Sequence, residues 1–442
     1  MLYSIRLKAL SGVLLAVLAG SGCDDSDSVD ELIDDLFEER GYAEEINFPA
    51  QVNDQCPAWS RRETIDISAS MKLPENCVFE QVTIQLTAPN IDFDCNNAVF
   101  NGMTKVSRNE YRDAYSADEA PQGLAFSVSS AENAAVHLSN ITVRNCQIIN
   151  YISALDVKLN LTDETKTALR NGSGNEDSLR AKAPADIKVL NSKIINSHGS
   201  GIYINRYVTG FELSSSRVKG SGGPGIYLDA GSRAAKIAAS VIEGNGFFSY
   251  NPEDRRREAR RSDLAKREGL AVDATSLNEI KNNTFRDNAD GGVYLYKNCW
   301  EDAVADLNEL PRTTGANSNL IEGNSFIDER VGVWLAERAD RDLNAFDCGD
   351  ELIYSTGNEK YYRDYARENT VSGNTFTNNE EAIRVKDDAN IVRNNTFVGT
   401  EKFDISVGSE IREKIGDPVS GTLLSGNNLS KADGINFSNG AD

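Results

Sequence analysis

Three groups of residues in this 442-residue chain have side chains suited to chemistry. Asn205, Asp229 and Asp273 offer oxygen atoms of the kind that bind Ca²⁺. A calcium ion held there would neutralise the carboxylate of a uronic acid and acidify its α-proton, which a lysine or arginine then abstracts. Lys386 and Arg384, two positions apart, are the candidates for that base and for the carboxylate neutraliser. The plain alternative for the Asn/Asp set is a polar ladder without metal. The third group is aromatic, namely Tyr203, Tyr227, Tyr294, Tyr296 and Trp334, with Trp300, Glu301, Glu337 and Arg338 near them in sequence. Sugars present an apolar face to aromatic rings and hydroxyls to polar neighbours, so these side chains are expected to contact a glycan. Sheet surfaces favour Tyr and Trp even without a ligand, which is the competing explanation.

What must position them is a repeat. IKNNTF (280–285), IEGNSF (321–326), VSGNTF (371–376), VRNNTF (392–397) and LSGNNL (424–429) share the pattern apolar-x-x-Asn-x-apolar. Aligned backwards, one column runs through Cys146, Ser192, Ser216, Ser240, Asn283, Asn324, Asn374, Asn395 and Asn427, in steps of 46, 24, 24, 43, 41, 50, 21 and 32 residues. The short steps are about one turn of a parallel β-solenoid, and the long ones fit a turn plus an insertion or an extra degenerate turn. A second column reads GIYI (201–204), GIYL (225–228), GLAV (269–272), GVYL (292–295) and GVWL (332–335), continued by AIRV (382–385) and DISV (404–407). Alternation sends the apolar pair inward and the residue between them outward, giving the outward file Asp156, Tyr203, Tyr227, Ala271, Tyr294, Trp334, Arg384 and Ser406. The Asn/Ser column is expected at a bend, bonded to turn backbone and to its equivalents in adjacent coils.

On these NNTF/GNTF corners and G-I-Y-L strands the chain resembles the right-handed parallel β-helix proteins of the pectate-lyase-like superfamily, over about residues 75–440. The resemblance implies an all-β solenoid with an N-terminal cap and first coils at 51–102 and the helix proper at 103–440. Insertions are expected at about 247–268, 299–318 and 337–369, all leaving from the edge just after the aromatic file. The fold carries lyases, hydrolases, epimerases, esterases, tailspikes and adhesins, so it names no activity. Calcium bound by acidic residues is used by lyases of this fold. Arg384-Val385-Lys386 is similar to the Arg-x-Lys motif of polygalacturonase-type hydrolases and His198-Gly199 to their Gly-His-Gly. Here, however, the order is reversed, Ser197 replaces the first Gly, and the neighbours Asp387 and Asp388 point to opposite sides of a strand. The Asp-Pro-His-Asp motif of mannuronan epimerases is absent.

The first insertion, at 251–269, is expected to be a helix capped by Asn251, with Pro252 at its first position and Gly269 as its stop. Its seven basic residues against five acidic ones make it the least acidic segment. Arg255, Arg256, Arg260 and Lys266 either attract an acidic glycan or form a solvated face stapled by Glu–Arg pairs. A Cys299–Cys348 bond would tie the other two insertions over a groove.

Residues 1–22 read as an export signal, with Arg6 and Lys8, an apolar run over 13–18 and small residues at 19–22. Cys23 then resembles the lipobox cysteine of bacterial lipoproteins, which implies a lipid anchor in the cell envelope, on the periplasmic side or at the surface. An ordinary secretory signal is the alternative. Residues 23–50 are expected to be a tether: 24–45 carry eleven acids against Arg40 alone, with a short helix at 29–37. The six remaining cysteines, an even count without CxxC, imply disulfides. The preferred pairs are Cys56–Cys77, Cys95–Cys146 and Cys299–Cys348. With only His137 and His198 in the chain a zinc site is not expected, and a net charge of −22 argues against nucleic acid. The leading expectation is an envelope-anchored solenoid that binds an acidic polysaccharide or cell-surface glycan and cleaves or modifies it, by lyase-type β-elimination with Ca²⁺ as candidate cofactor. The alternative is a non-catalytic structural or adhesive surface solenoid.

Overall fold

The computed structural model describes residues 46–103, 121–251, 256–306 and 308–442. The export signal, Cys23 and the tether with its expected helix up to residue 45 lie outside the described residues. The corner dipeptides explain how the chain turns. Asn282, Gly323, Gly373, Asn394 and Gly426 have φ of 55°, 68°, 63°, 54° and 63°, the left-handed conformation that Asn and Gly adopt most readily. The residue after each one points inward. Asn283, Asn324, Asn374, Asn395 and Asn427 form a continuous amide ladder, each Nδ2 donating to the next Oδ1 at 3.0–3.1 Å. Toward the N-terminus serines take the same place: Ser192 N–H donates to Ser216 Oγ and Ser216 N–H to Ser240 Oγ, both at 3.1 Å. The phenylalanines ending four of the hexapeptides stack inside it, with Phe285, Phe326, Phe376 and Phe397 at centroid spacings of 5.1, 4.8 and 5.2 Å.

Coils built this way stack into a parallel β-helix. Among the described residues its three faces are all-parallel sheets of twelve, eleven and ten strands. The first sheet carries the G-x-aromatic-x strands, including Ile202–Ile204, Ile226–Leu228, Glu268–Asp273, Gly291–Tyr296, Val331–Leu335 and Glu381–Val385. Its register aligns the outward file coil upon coil: Tyr203 with Tyr227, Tyr227 with Ala271, Ala271 with Tyr294, Tyr294 with Trp334, and Trp334 with Arg384. The glycine opening these strands is required by close approach. A Cβ on Gly332 would meet Ala382 O and the Phe376 ring at 2.7 Å. Disulfides join Cys56 to Cys77, Cys95 to Cys146 and Cys299 to Cys348, with Cα separations of 5.6, 4.9 and 5.5 Å.

The insertions depart from expectation in three ways. First, 251–269 is not a helix. Phe248–Asn251 pairs antiparallel with Arg256–Arg260 as a hairpin. The aromatic run Phe247, Phe248 and Tyr250 favours a strand, and cross-strand pairing outweighs the local capping signals. Second, this hairpin leaves from the opposite edge. It follows the third-sheet strand Val241–Glu243 and precedes the first-sheet strand Glu268–Asp273, whereas 299–318 and 337–369 follow first-sheet strands. Third, a further insertion lies between Ser153–Asn160 and Ala185–Leu190, with helices Asp163–Arg170 and Glu176–Arg180 capped by Thr162 and Asn175. The 46-residue step from Cys146 to Ser192 left room for it.

Candidate functional site

The first sheet is therefore walled on both sides. One wall is the hairpin and its return through residues 261–267. The other is built from the helical insertion and the loops at 299–318 and 337–369. That second wall is knitted together by named contacts. Arg170 donates to the carbonyls of Ala303 (2.5 Å), Asp306 (3.2 Å) and Glu309 (2.6 Å), and its guanidinium lies 4.8 Å from the Trp300 ring. Arg206 holds the carbonyls of Leu310 and Pro311 at 2.8 and 3.0 Å. Asp364 accepts the backbone N–H groups of Lys297 (2.6 Å) and Arg338 (2.7 Å), so one carboxyl ties the starts of two loops. Cys299–Cys348 adds a covalent tie between the same two loops.

Between the walls lie two cavities. One, about 540 Å³, is lined by Lys158, Lys166, Tyr203, Asn205, Arg206, Tyr227, Asp229, Glu301, Glu309 and Arg312 among others. The second, about 270 Å³, is lined by Tyr227, Arg261, Leu264, Arg267, Glu268, Asp290, Tyr294, Glu301, Glu337, Arg338 and others. They share Tyr227 and Glu301, so the two form one groove with those side chains at its waist. The Tyr203 and Tyr227 rings stack in its floor at 5.0 Å and 3°. Nine basic side chains face six acidic ones along the groove, whereas the whole chain has 46 basic against 68 acidic. Basic side chains thus outnumber acidic ones in the lining of the groove, the reverse of the chain as a whole.

The acids and phenols of the groove are strongly differentiated. Tyr227 donates to Asp273 Oδ2 at 2.7 Å, and burial, then the Asp273 charge, raises its pKa well above the usual phenol value. Its proton stays on the phenol, which leaves Tyr227 a donor and no base. Burial likewise raises the Glu301 carboxyl, against the pull of Arg312 and Arg338. Burial pushes Asp290 up to about 6 despite the Arg330 guanidinium 2.7 Å away. Glu268 goes the other way: burial is outweighed by Arg267, whose Nε lies 3.2 Å off, and its pKa falls below the ordinary value.

The structure redistributes the residues singled out by sequence. Tyr203, Tyr227, Tyr294, Glu301, Glu337 and Arg338 line the groove. Tyr296 does not: it is 0% exposed, beneath the Arg338 guanidinium at 4.3 Å and bonded to Glu268 at 2.9 Å. Trp300 is a wall anchor, its indole N–H donating to Glu309 O at 3.1 Å. Trp334 is 8% exposed, covered by Arg384 at 4.1 Å, Lys386 at 5.4 Å and Arg330 at 5.5 Å from its ring. Lys386 is ion-paired with Asp340 at 2.7 Å and Arg384 with Glu381 at 3.0 Å, and neither lines either of these two cavities. Lys386 Nζ donates to Asp340 Oδ2 and is not among the side chains lining the groove. Of the basic residues named in 251–269, Lys266 lines the groove, paired with Asp263 at 2.8 Å.

Asn205, Asp229 and Asp273 do fall on successive coils, two residues beyond the register pairs Tyr203–Tyr227 and Tyr227–Ala271. Their chemistry does not suit calcium. Asp273 accepts from Asn298 N (3.1 Å), Asn298 Nδ2 (3.0 Å), Arg312 Nε (3.0 Å) and the Tyr227 hydroxyl, so its oxygens face donors. Asn205 turns its amide N–H toward Asp156, and Asp229 accepts from Tyr203 at 3.2 Å. Among the described residues no group of three or more His, Cys, Asp and Glu is placed to hold a metal ion. Arg261, Arg267, Glu268, Asp290 and Arg312 are groove residues that sequence reasoning missed. Arg312 enters from a loop that returns across the coils, and no pattern in the sequence marks that return.

A family model described as right handed beta helix region matches residues 178–340, and one described as periplasmic copper-binding protein (NosD) matches 312–434. Among solved structures, the A-module of a mannuronan C-5 epimerase from Azotobacter vinelandii is similar at 12% identity and TM-score 0.43, covering 85% of this chain and 80% of that one. A variant of a periplasmic alginate epimerase is similar at 13% identity and TM-score 0.47, covering 85% and 84%. A surface adhesin of Streptococcus pneumoniae is similar at 13% identity and TM-score 0.39, covering 78% and 83%. No curated protein matches the sequence.

Proposed function

We propose that this right-handed parallel β-helix protein is an exported glycan-binding protein that holds an acidic polysaccharide lengthwise in its two-walled groove. The observation that carries the reading is the groove itself, a concave face with nine basic against six acidic side chains on an otherwise acidic chain, floored by stacked tyrosines. Aromatic faces suit sugar rings, and the local positive charge suits carboxylates. Three disulfides fit an oxidising compartment outside the cytoplasm. Attachment through a lipid on Cys23 belongs to the same reading. For the copper named in that family description, no group of three or more His, Cys, Asp and Glu among the described residues is placed to hold the ion, the six described cysteines being paired as disulfides and His137 bonded to the Ala183 carbonyl. β-Elimination of a uronate is the reaction to test. Glu301 at the waist of the groove, rather than Lys386, is the residue to test first.

The experiment is binding of residues 46–442 to polygalacturonate, alginate and a neutral glucan, with ultraviolet absorbance of an unsaturated product followed in parallel. Binding of the acidic polymers alone is expected. An absorbance rise lost in Glu301→Gln would add the lyase activity, and binding without a rise would make the groove a recognition site. No binding of either acidic polymer would remove the reading in favour of an adhesive or structural solenoid.

A further inference from the structure

The groove's cations are not equivalent. Arg267 faces Glu268, Arg338 and Arg341 face Glu337, Arg312 faces Asp273 and Lys266 faces Asp263, each within ion-pair distance. Arg261 lines the same cavity and, among the described residues, no carboxylate lies within 4.0 Å of it. It is nevertheless held in place. Its Nε donates to the carbonyls of Phe248 (2.8 Å) and Gly222 (3.2 Å), and its backbone N–H donates to Phe247 O at 2.8 Å. Gly222 makes that seat possible, since a Cβ there would meet His198 O at 2.3 Å and Phe248 O at 3.0 Å. The guanidinium plane is therefore fixed through Nε, while among the described residues one terminal nitrogen has only a 3.5 Å contact with Ala265 O and the other has no hydrogen-bond partner.

We propose that Arg261 is the specificity residue of the groove, its free guanidinium edge binding the carboxylate of a uronic-acid unit seated in the smaller cavity. This rests on the acidic-glycan reading and deepens it by naming the carboxylate, rather than hydroxyl pattern or chain length, as what is selected. A half-buried cation beside another cation, with no carboxylate of the described residues within ion-pair distance, gains from an incoming anion the direct pairing that its neighbours already obtain from Glu268, Glu337 and Asp273. Burial, followed by the Arg267 charge, lowers the Arg261 pKa, and the more distant Glu268 carboxylate only partly offsets them. A planar fork matches a carboxylate with two parallel hydrogen bonds, which a lysine does not reproduce. Exposed Leu264, in the segment that follows Arg261, supplies apolar contact for the ring that carries the carboxylate.

The test is calorimetric titration of residues 46–442 with a defined oligogalacturonate and with its methyl ester, which keeps the ring and removes the charge. Wild type is expected to prefer the free acid. Arg261→Gln should lose that preference, weakening acid binding about tenfold or more while leaving ester binding unchanged, as loss of one charge-assisted pair implies. Arg261→Lys should recover part of it. Lys402→Gln, which removes an exposed cation paired with Glu380, should leave both affinities as they are. Thermal melts and far-ultraviolet circular dichroism check that each variant is folded. Retained acid preference in folded Arg261→Gln overturns the proposal and leaves the groove reading standing. Failure of the wild type to bind either oligomer, or equal binding of both, overturns the groove reading and this proposal with it.

Discussion

Asn324→Ala tests whether the repeated asparagine holds the coils together. Asn324 Oδ1 accepts from Asn283 N at 2.9 Å and Asn283 Nδ2 at 3.0 Å, and its own Nδ2 donates to Ile280 O at 2.8 Å and Asn374 Oδ1 at 3.0 Å. Alanine removes all four of these bonds. At about 1 kcal/mol net for each, the loss is about 4 kcal/mol, with more if the buried Asn283 N–H finds no water. The chain supplies its own control, because Ser216 and Ser240 occupy the same column and accept the equivalent N–H. Asn324→Ser should keep that one acceptor and cost about 3 kcal/mol. The measurement is urea denaturation of residues 46–442, comparing midpoints at constant m. A loss below about 1 kcal/mol for the alanine variant, or a serine variant no better than alanine, refutes the ladder as a source of stability.

Glu329 occupies an equivalent inward position on another corner, accepting from Asn288 Nδ2 at 2.7 Å while its own N–H donates to Asn379 Oδ1 at 2.9 Å. Burial raises its pKa well above the ordinary carboxyl value, against the pull of its hydrogen bonds from Asn288. A raised folded pKa means that its contribution is complete below the unfolded carboxyl range and is lost as pH rises through the folded value. Glu329→Gln should abolish that loss with rising pH in thermal melts recorded across pH. Asp290, held near 6 by burial, gains a negative charge as pH rises through that value. Binding of an anionic glycan should weaken over the same interval, and in Asp290→Asn the pH profile of the dissociation constant should be flat there. Arg170→Ala removes three carbonyl contacts and the Trp300 stack, so groove affinity should fall about tenfold with little change in the core, read by titration beside limited proteolysis of 299–318. Replacing Cys299 and Cys348 by serine opens a link spanning 49 residues. It should cost up to about 4 kcal/mol in denaturation and weaken glycan binding.

The sequence by itself determined the coil. A period of two places Tyr203, Tyr227, Tyr294 and Trp334 in one outward file, and the Asn-Asn or Gly-Asn corner requires a left-handed residue followed by an inward amide. Both constraints are local, acting within a few residues of the chain, and so both can be read in one dimension. What lies over the file was decided by tertiary structure. The segment 251–269 carries helix-capping signals, yet pairing Phe248 with Arg260 made it a hairpin on the opposite edge. Trp334, outward by alternation, is roofed by Arg330, Arg384 and Lys386 from its own and neighbouring coils. The Arg-x-Lys pair that looked catalytic is held by Asp340 and Glu381. Arg312 reaches Asp273 across 39 residues of sequence, and Arg170 reaches the loop at 303–309 across more than 130. Ion pairs and loop returns of that range depend on which coils become neighbours. A repeat fixes that adjacency only between its equivalent positions, and inserted loops have no equivalents to align.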